Sequence, residues 1–409
     1  MKQIQILVVA SLLLVLAIPA LAASASSPIH VNNRLRIGWD DNVYQVDSPS
    51  TSGLSKQDSF RIIEEIEALV SLNFERTYLG LRYRPSLIWY SDRDNSDTDV
   101  LHDLDLNFIH NFSPTLSLSL SDTLRASQLP ELQDSNYVVR QDDDNIYNAA
   151  IATLSYTLRP ETRIDLSGRY IILEYTESDY QDGSGQTVSH DNDNYYTLVG
   201  GLTLRQQLAS LTTLMVDGRY QSVVYSDAAK DFNRDADSFF GGLGLEQTFS
   251  PQLIGSLRGG VEHRVYDNNI YDDNTQPYAE ISLTFMPSPA TRITGAASYS
   301  IFESDVTSYL SQDRFYASLS LAHDFTAKLS FYLSGAYSLN SYDEKYSMYD
   351  GLEDGDENTY LISMRMSYRV NRINWLEAGY QFVMLDSDVT NRESYDRNRV
   401  DLGWKIQLF

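Results

Sequence analysis

The 409-residue chain contains no cysteine, so it has no disulfide framework, no lipid-modified cysteine and no thiol chemistry. Histidine is rare, with six residues, and the Gly-x-Ser-x-Gly turn of many hydrolases is missing. Acidic residues outnumber basic ones by 56 to 31, and the net charge of −25 argues against a nucleic-acid partner. We therefore predict that the protein is not an enzyme, binds no nucleic acid and carries no cofactor.

Long apolar runs are also missing, apart from one at the start of the chain. Residues 1–22 combine a single Lys2, an apolar stretch and a helix-breaking Pro19 before Ala22. This is the composition of a cleavable secretory signal, which is too short to span a bilayer as a helix. We predict a signal peptide over 1–22 and a single mature domain over 23–409.

The mature sequence instead carries apolar residues at every second position, which is the period of a half-buried β-strand. Leu116, Leu118 and Leu120, for example, alternate with serines. Pro85 interrupts one such series, and we expect a β-bulge or a strand end there. The 29 tyrosines suit the aromatic girdles of a membrane barrel, although tyrosine is a good residue for any strand. A membrane barrel exposes apolar groups only at alternate positions, so it needs no long apolar run.

The last alternating stretch begins at Val400. It resembles the C-terminal signal of bacterial outer-membrane barrels, in which a polar residue, a glycine two places on and two alternating apolar residues precede a terminal aromatic. The residues that match, and that the barrel-assembly machinery would recognise, are Asp401, Gly403, Ile406, Leu408 and Phe409. Phe409 departs from the usual pattern, because it does not share the parity of Ile406 and Leu408. An ordinary soluble sheet is the alternative.

Short turns and longer polar loops alternate along the whole mature chain. The eight turns are 75–76, 113–115, 159–162, 208–210, 250–252, 287–290, 326–328 and 371–372. The nine loops are 46–59, 92–99, 129–144, 178–192, 226–236, 267–275, 305–311, 344–357 and 389–396. Together they join 18 strands, so we predict an all-β, antiparallel, up-and-down transmembrane β-barrel of 18 strands, with 16 as the fallback. A barrel of this width encloses a lumen.

The nine loops hold 29 of the 56 acidic residues but only 7 of the 31 basic ones. Long loops of such barrels face the cell exterior, so we expect these loops to be extracellular and both termini to be periplasmic. Acidic clusters such as 142–144 offer the oxygen ligands that Ca²⁺ takes, but none has the EF-hand spacing. The loops could share divalent cations with lipopolysaccharide phosphates or simply stay solvated; we favour solvated loops and predict no metal site.

The polar parity of the strands predicts the residues that face the lumen. The pore-lining candidates are Arg34, Arg36, Arg61, Glu65, Glu67, Arg82, Arg84, Asp103, Asp105, Arg125, Asp165, Arg169, Arg205, Arg219, Glu246, Arg258, Glu262, Arg264, Arg365 and Arg369. Asp217, Glu280, Asp324, Glu377 and Lys405 share their parity. Charges of both signs across a pore tune selectivity, whereas the simpler interpretation is that these residues pair with one another and keep the wall wet.

Two histidines lie beside aspartates, as catalytic pairs of outer-membrane hydrolases do: His102 near Asp99, and His190 near Asp191. Both pairs lie in or next to loops rich in aspartate, where such neighbours arise by coincidence. We therefore keep the prediction that the chain is not an enzyme.

The stretch 35–44 runs from an alternating strand into Asp40-Asp41-Asn42 and Tyr44. It resembles the opening strand of the β-barrel porin families that are often found with exopolysaccharide export systems. The resemblance implies an outer-membrane, porin-like barrel and, as partners, components of polysaccharide export. It supplies no catalytic or binding residues.

We predict a water-filled outer-membrane channel for small hydrophilic solutes that favours cations. Two alternatives remain open. One is a barrel that assists exopolysaccharide export, with Tyr78, Tyr90, Tyr332 and Tyr342 stacking on sugar rings. The other is a non-conducting structural barrel whose acidic loops make surface contacts. The sequence leaves the oligomeric state and the transported solute undetermined.

Overall fold

The computed structural model describes residues 28–47, 55–93, 97–127, 132–134, 137–138, 145–175, 179–181, 187–189, 193–226, 234–268, 270–306, 309–343, 353–389 and 392–408. The predicted signal peptide and Phe409 lie outside these ranges. Among the described residues, no helix is long and apolar enough to cross a membrane.

Strands account for the regular structure of these ranges. They are β1 (Ile29–Asp40), β2 (Ser59–Asn73), β3 (Thr77–Tyr90), β4 (Thr98–Ser113), β5 (Leu116–Ser127), β6 (Leu132–Asp134), β7 (Tyr137–Val138), β8 (Asn145–Arg159), β9 (Thr162–Tyr175), β10 (Asp179–Gln181), β11 (Thr187–Ser189), β12 (Tyr195–Ala209), β13 (Thr212–Tyr225), β14 (Ala236–Ser250), β15 (Leu253–Tyr266), β16 (Asn274–Ser288), β17 (Thr291–Glu303), β18 (Ser311–Asp324), β19 (Leu329–Tyr342), β20 (Gly355–Arg369), β21 (Asn374–Ser387) and β22 (Tyr395–Gln407).

Eighteen of these strands form one closed antiparallel sheet. Each pairs with the next long strand along the chain, and β1 pairs with β22, which joins the two ends of the sheet. The short hairpins β6–β7 and β10–β11 lie in two of the long connections. The eight short turns and nine longer connections fall where the sequence predicts them, so the 18-stranded barrel is confirmed.

Contacts between strands that are not neighbours identify the inner face. Arg34 on β1 forms a 2.8 Å ion pair with Glu377 on β21, although β22 lies between them. Arg219 on β13 likewise reaches Glu280 on β16, at 3.6 Å. Side chains meet across intervening strands on the concave side of a barrel, so this parity faces inward.

The outer face is apolar and exposed. Leu202, Leu243 and Leu402, all on the opposite parity, are 54%, 61% and 59% exposed. Polar side chains inside and apolar side chains outside reverse the arrangement of a water-soluble barrel, and they match a barrel that has lipid as its solvent.

The expectation of a β-bulge or strand end at Pro85 is wrong. β3 runs through Pro85, which pairs with His102 on β4. The ladder between β2 and β3 is interrupted opposite Ile66 and resumes in the same register, with Glu65 paired to Ser86 and Ala68 to Tyr83. The proline costs a ladder hydrogen bond because it has no N–H group, but it does not displace the strand.

Candidate functional site

The strand register brings all twenty pore-lining candidates to the inner face of the barrel. Residues that pair across neighbouring strands share a face, and one such row joins Arg365, Gly379, Asp401, Gly38 and Arg61. The pairing of each strand with the next places the remaining candidates on the same face.

A cavity of about 650 Å³ opens on this face, between β1–β5 on one side and β19–β22 on the other; we call it the arginine cavity. Its charged lining comprises three carboxylates, those of Glu65, Asp103 and Asp401, and the following seven guanidinium groups: Arg36, Arg61, Arg82, Arg84, Arg125, Arg365 and Arg399. The charge of this lining is therefore positive, unlike that of the whole chain.

Most of these arginines form ion pairs with the few carboxylates. Asp103 is shared by Arg82 at 3.1 Å and Arg125 at 2.7 Å, and Arg84 also binds it. Glu65 is held by Arg36 and, at 3.5 Å, by Arg34. Asp103 and Glu65 thus each serve two or more cations, whereas Asp401 lies 3.8 Å from Arg36.

Arg365 differs from its neighbours, because it forms no ion pair with any described residue. Its partners in register are the uncharged Gly379 and Tyr332. Two carboxylates act on it from a longer distance: that of Glu377, which already binds Arg34 at 2.8 Å, and that of Asp401, which lies 3.8 Å from Arg36.

Asp40 and Arg397 join the first and last strands at the loop end of the barrel. Arg397 Nη2 lies 2.6 Å from an Asp40 carboxylate oxygen, and Nε lies 2.9 Å from the other; the two side chains are 2% and 0% exposed. Next to them, Asp41 accepts hydrogen bonds from the backbone and side-chain nitrogens of Asn398. The Asp-Asp-Asn stretch that marked the opening strand therefore helps to close the barrel.

A second group fills the opposite side of the lumen; we call it the tyrosine cluster and define it as Asp217, Arg219, Phe240, Arg258 and Tyr278. The Tyr278 hydroxyl donates to Asp217 at 3.1 Å, and Arg258 lies 3.6 Å from the same carboxyl group. The Arg219 guanidinium lies 4.7 Å from the Phe240 ring centre and 4.8 Å from that of Tyr278, within cation–π range.

Two glycines make room for this ring. A Cβ on Gly242 would collide with the Tyr278 hydroxyl and would lie 2.9 Å from the Gly259 carbonyl oxygen. A Cβ on Gly260 would lie 2.8 Å from the ring itself. Glycine is therefore required here by the close approach of Tyr278 to the wall.

Loop residues meet one another above the lumen. The fully buried Arg234, between β13 and β14, donates to the carbonyls of Ser304 and Tyr309, at 3.1 Å each. Arg392, between β21 and β22, forms a 2.8 Å ion pair with Asp305. The segment after β17 thereby binds two loops that belong to distant parts of the barrel.

The loop end also carries exposed carboxylates, which we call the acidic rim; among the described residues it includes Asp58, Asp92, Asp267, Asp272 and Asp273. Desolvation, followed by the nearby carboxylates of Asp237 and Asp235, raises the pKa of Asp267. The rim and the arginine cavity therefore carry charge of opposite sign.

Comparison with known proteins assigns this barrel to a protein family. The family model described as "Putative beta-barrel porin 2" matches residues 31–408. The chain belongs to this family of β-barrel porins. No curated protein sequence matches it.

Solved structures of other porins are similar at low sequence identity. OccAB3 of Acinetobacter baumannii is 14% identical, with 93% of this chain and 99% of that chain covered and a TM-score of 0.44. OccK9 (OpdG) of Pseudomonas aeruginosa is 12% identical, with 93% and 98% covered and a TM-score of 0.48. OccK2 (OpdF) of Pseudomonas aeruginosa, in complex with glucuronate, is 10% identical, with 93% and 98% covered and a TM-score of 0.47.

The family confirms the resemblance to β-barrel porins seen in the opening strand, and it makes this chain an outer-membrane porin. His102 and Asp99, which the sequence analysis attributed to coincidence, do not pair: the His102 ring bonds to the Tyr83 hydroxyl at 2.9 Å, and Asp99 binds Arg93. His190 and Asp191 lie outside the described residues. No group of three or more potential metal ligands occurs within the described ranges.

The four tyrosines considered for sugar stacking are placed very differently in the porin. Tyr90 and Tyr342 are 0% exposed, so their rings are inaccessible and this part of the expectation is wrong. Tyr332 is 44% exposed and lines the arginine cavity, and Tyr78 is half-buried. Arg397, Arg399 and Arg234 are inner residues that the sequence analysis missed. Arg397 and Arg399 continue the parity of Asp401, so starting the last strand at Tyr395 rather than Val400 would have found them.

Proposed function

We propose that the protein is a water-filled porin through which small hydrophilic solutes pass passively. The observation that supports this most directly is the largely polar inner face of a closed barrel, which surrounds a cavity of about 650 Å³ whose lining includes ten charged residues, serine and glutamine beside aliphatic side chains such as Ile63 and Leu361. A wall of this kind holds water and lets polar solutes exchange their hydration for side-chain contacts.

The proposal includes an orientation and an ion preference. The acidic rim lies at the end of the barrel with the longer loops, which we assign to the cell exterior, and both termini then face the periplasm. Carboxylates at a pore mouth raise the local concentration of cations. We therefore expect small cations to be favoured at low salt, where exposed charges are weakly screened.

The test is single-channel recording of the refolded mature barrel in a planar bilayer, with heat-modifiable migration on gels as the control for folding. We expect discrete conductance steps. In a salt gradient, the reversal potential should show cation preference near 0.1 M salt and lose it near 1 M, where the Debye length falls from about 10 Å to about 3 Å. A correctly folded barrel that gives no steps would overturn the proposal and favour a structural role. An anion preference at low salt would refute the role given to the rim.

A further inference from the structure

We infer that the arginine cavity is a binding site for the carboxylate group of a small hydrophilic solute, with Arg365 as the residue that receives it. The inference rests on the proposed function, because it names the class of solute that the pore would recognise.

The first step is charge. The lining contains seven guanidinium groups and three carboxylates, so the cavity keeps an excess of positive charge unless an anion enters. Carboxylates beside the lining reduce this excess but do not remove it, because Asp105 adds one negative charge, whereas Asp40 and Glu377 already pair with Arg397 and Arg34. An entering carboxylate would therefore meet a positively charged lining.

The second step is the availability of one guanidinium group. Arg365 has no ion-pair partner among the described residues, and it is only half-buried, so its donors are accessible from the cavity. Its nearest cations on the same face, Arg36 and Arg34, are engaged with Glu65. The planar guanidinium fork matches the two oxygens of a carboxylate better than it matches a spherical ion such as chloride.

The third step is the rest of the lining. Tyr332 pairs in register with Arg365 and exposes its ring to the cavity, and Ser334, Ser363 and Gln381 add neutral hydrogen-bonding groups nearby. A volume of about 650 Å³ lies in the usual range for small-ligand sites. A compact polyol with one carboxylate, such as a hexuronate, would use all of these groups.

The experiment compares galacturonate with galactose, its uncharged counterpart, on the refolded full barrel. We expect galacturonate, but not galactose, to cause reversible interruptions of the single-channel current. Arg365→Ala should weaken the apparent affinity for galacturonate about tenfold, which corresponds to the loss of one charge-assisted hydrogen bond. The matched control is Arg369→Ala, which removes the same charge from the same strand and face, four residues away and outside the cavity; it should change the affinity less than about twofold.

If the two substitutions weakened the affinity for galacturonate equally, the effect would come from the overall electrostatic field of the pore, and the proposed site would be overturned. The site would also be overturned if the unmodified barrel did not distinguish galacturonate from galactose. Calorimetric titration of the barrel in detergent separates this inference from the proposed function. Binding of galacturonate that depends on Arg365 in a barrel that gives no conductance would keep the site and refute the channel. Conductance without galacturonate binding would keep the channel and refute the site.

Discussion

The arginine cavity and the tyrosine cluster are built from the same alternating sequence pattern, yet the cavity on the first side of the lumen is about 650 Å³ and the one beside the cluster is about 150 Å³. In the cluster, glycines let Tyr278 pack against the wall, and Asp217 gathers a hydroxyl group and two arginines around one buried carboxylate. In the cavity, arginines exceed carboxylates and Arg365 is left without an ion-pair partner among the described residues. The parity of a residue therefore fixes the face on which it lies, but not whether its charge is already neutralised.

This difference separates stability from function. A buried charge that has all its partners contributes to stability only as long as the partners stay, since removal of one leaves the other uncompensated. A charge that has no partner contributes little to stability and is available to a solute. Substitutions of buried paired charges should therefore change mainly the free energy of unfolding, and substitution of an unpaired charge should change mainly the interaction with a solute.

The largest expected effect lies at the outer edge of the side with the larger cavity, where Asp40 and Arg397 join β1 to β22. Asp40→Asn keeps the shape of the side chain but leaves the Arg397 guanidinium buried without its counter-ion. We expect a loss of about 3–5 kcal/mol in the free energy of unfolding. Denaturant titration of the barrel in lipid vesicles, followed by tryptophan fluorescence, measures it.

The matched control is the exposed ion pair next to it, between Lys56 and Asp396, whose side chains are 30% and 49% exposed at a distance of 2.8 Å. Asp396→Asn should cost less than about 1 kcal/mol. If the two substitutions lower the free energy of unfolding equally, burial does not determine the strength of these pairs. The distinction between charges that have buried partners and charges that have none would then lose its basis.

The next effect belongs to the tyrosine cluster. Gly242→Ala places a methyl group where the Tyr278 hydroxyl lies, so the ring must move and its bond to Asp217 must break. We expect a cost of about 2 kcal/mol, typical of overpacking a filled interior. Gly241→Ala, one residue earlier on the outer face, has open space around the new Cβ and should be close to neutral in the same titration. A neutral Gly242→Ala would show that the ring is not held in place.

A smaller effect isolates one hydrogen bond on each side. Tyr278→Phe removes the hydroxyl that donates to Asp217, and we expect a loss of about 1.5 kcal/mol, as for other hydrogen bonds to charged groups. Tyr332→Phe removes a hydroxyl that bonds to no described residue, so its cost should not be measurable. Thermal or denaturant unfolding of the two variants under one set of conditions provides the comparison, and a larger loss for Tyr332→Phe would contradict it.

Much of the barrel could be predicted from the sequence because its signals are local. Alternation with a period of two and the turn residues between strands specify the strand count and the inner parity of residues such as Arg34 and Arg365. The expectation at Pro85 failed because the pairing of β2 with β3 keeps the same register on both sides of the proline, so one missing hydrogen bond does not displace the strand. That pairing depends on the neighbouring strand and cannot be predicted from the residues around Pro85.

The partners of the inner charges could not be predicted in the same way. Arg34 meets Glu377 across β22, and Asp40 meets Arg397 at the other end of the chain, so both pairs depend on how the closed sheet staggers its strands. For the same reason, the sequence identifies Arg365 as an inner residue but cannot show that it has no ion-pair partner within the described ranges. The net charge of the chain likewise does not give the charge of the cavity, because the nine loops hold 29 of the 56 acidic residues and the lining of the cavity is positive.

The smallest expected effect on stability is that of Arg365→Met. This substitution removes a charge that has no ion-pair partner among the described residues and leaves a side chain of similar length, so the free energy of unfolding should change by less than about 0.5 kcal/mol. Relief of repulsion from Arg36 and Arg34 acts in the stabilising direction. Denaturant titration beside the Asp40→Asn variant measures the change. A loss above about 2 kcal/mol would mean that Arg365 is a structural residue. The arginine cavity would then differ from the tyrosine cluster in volume but not in having a charge that is available to a solute.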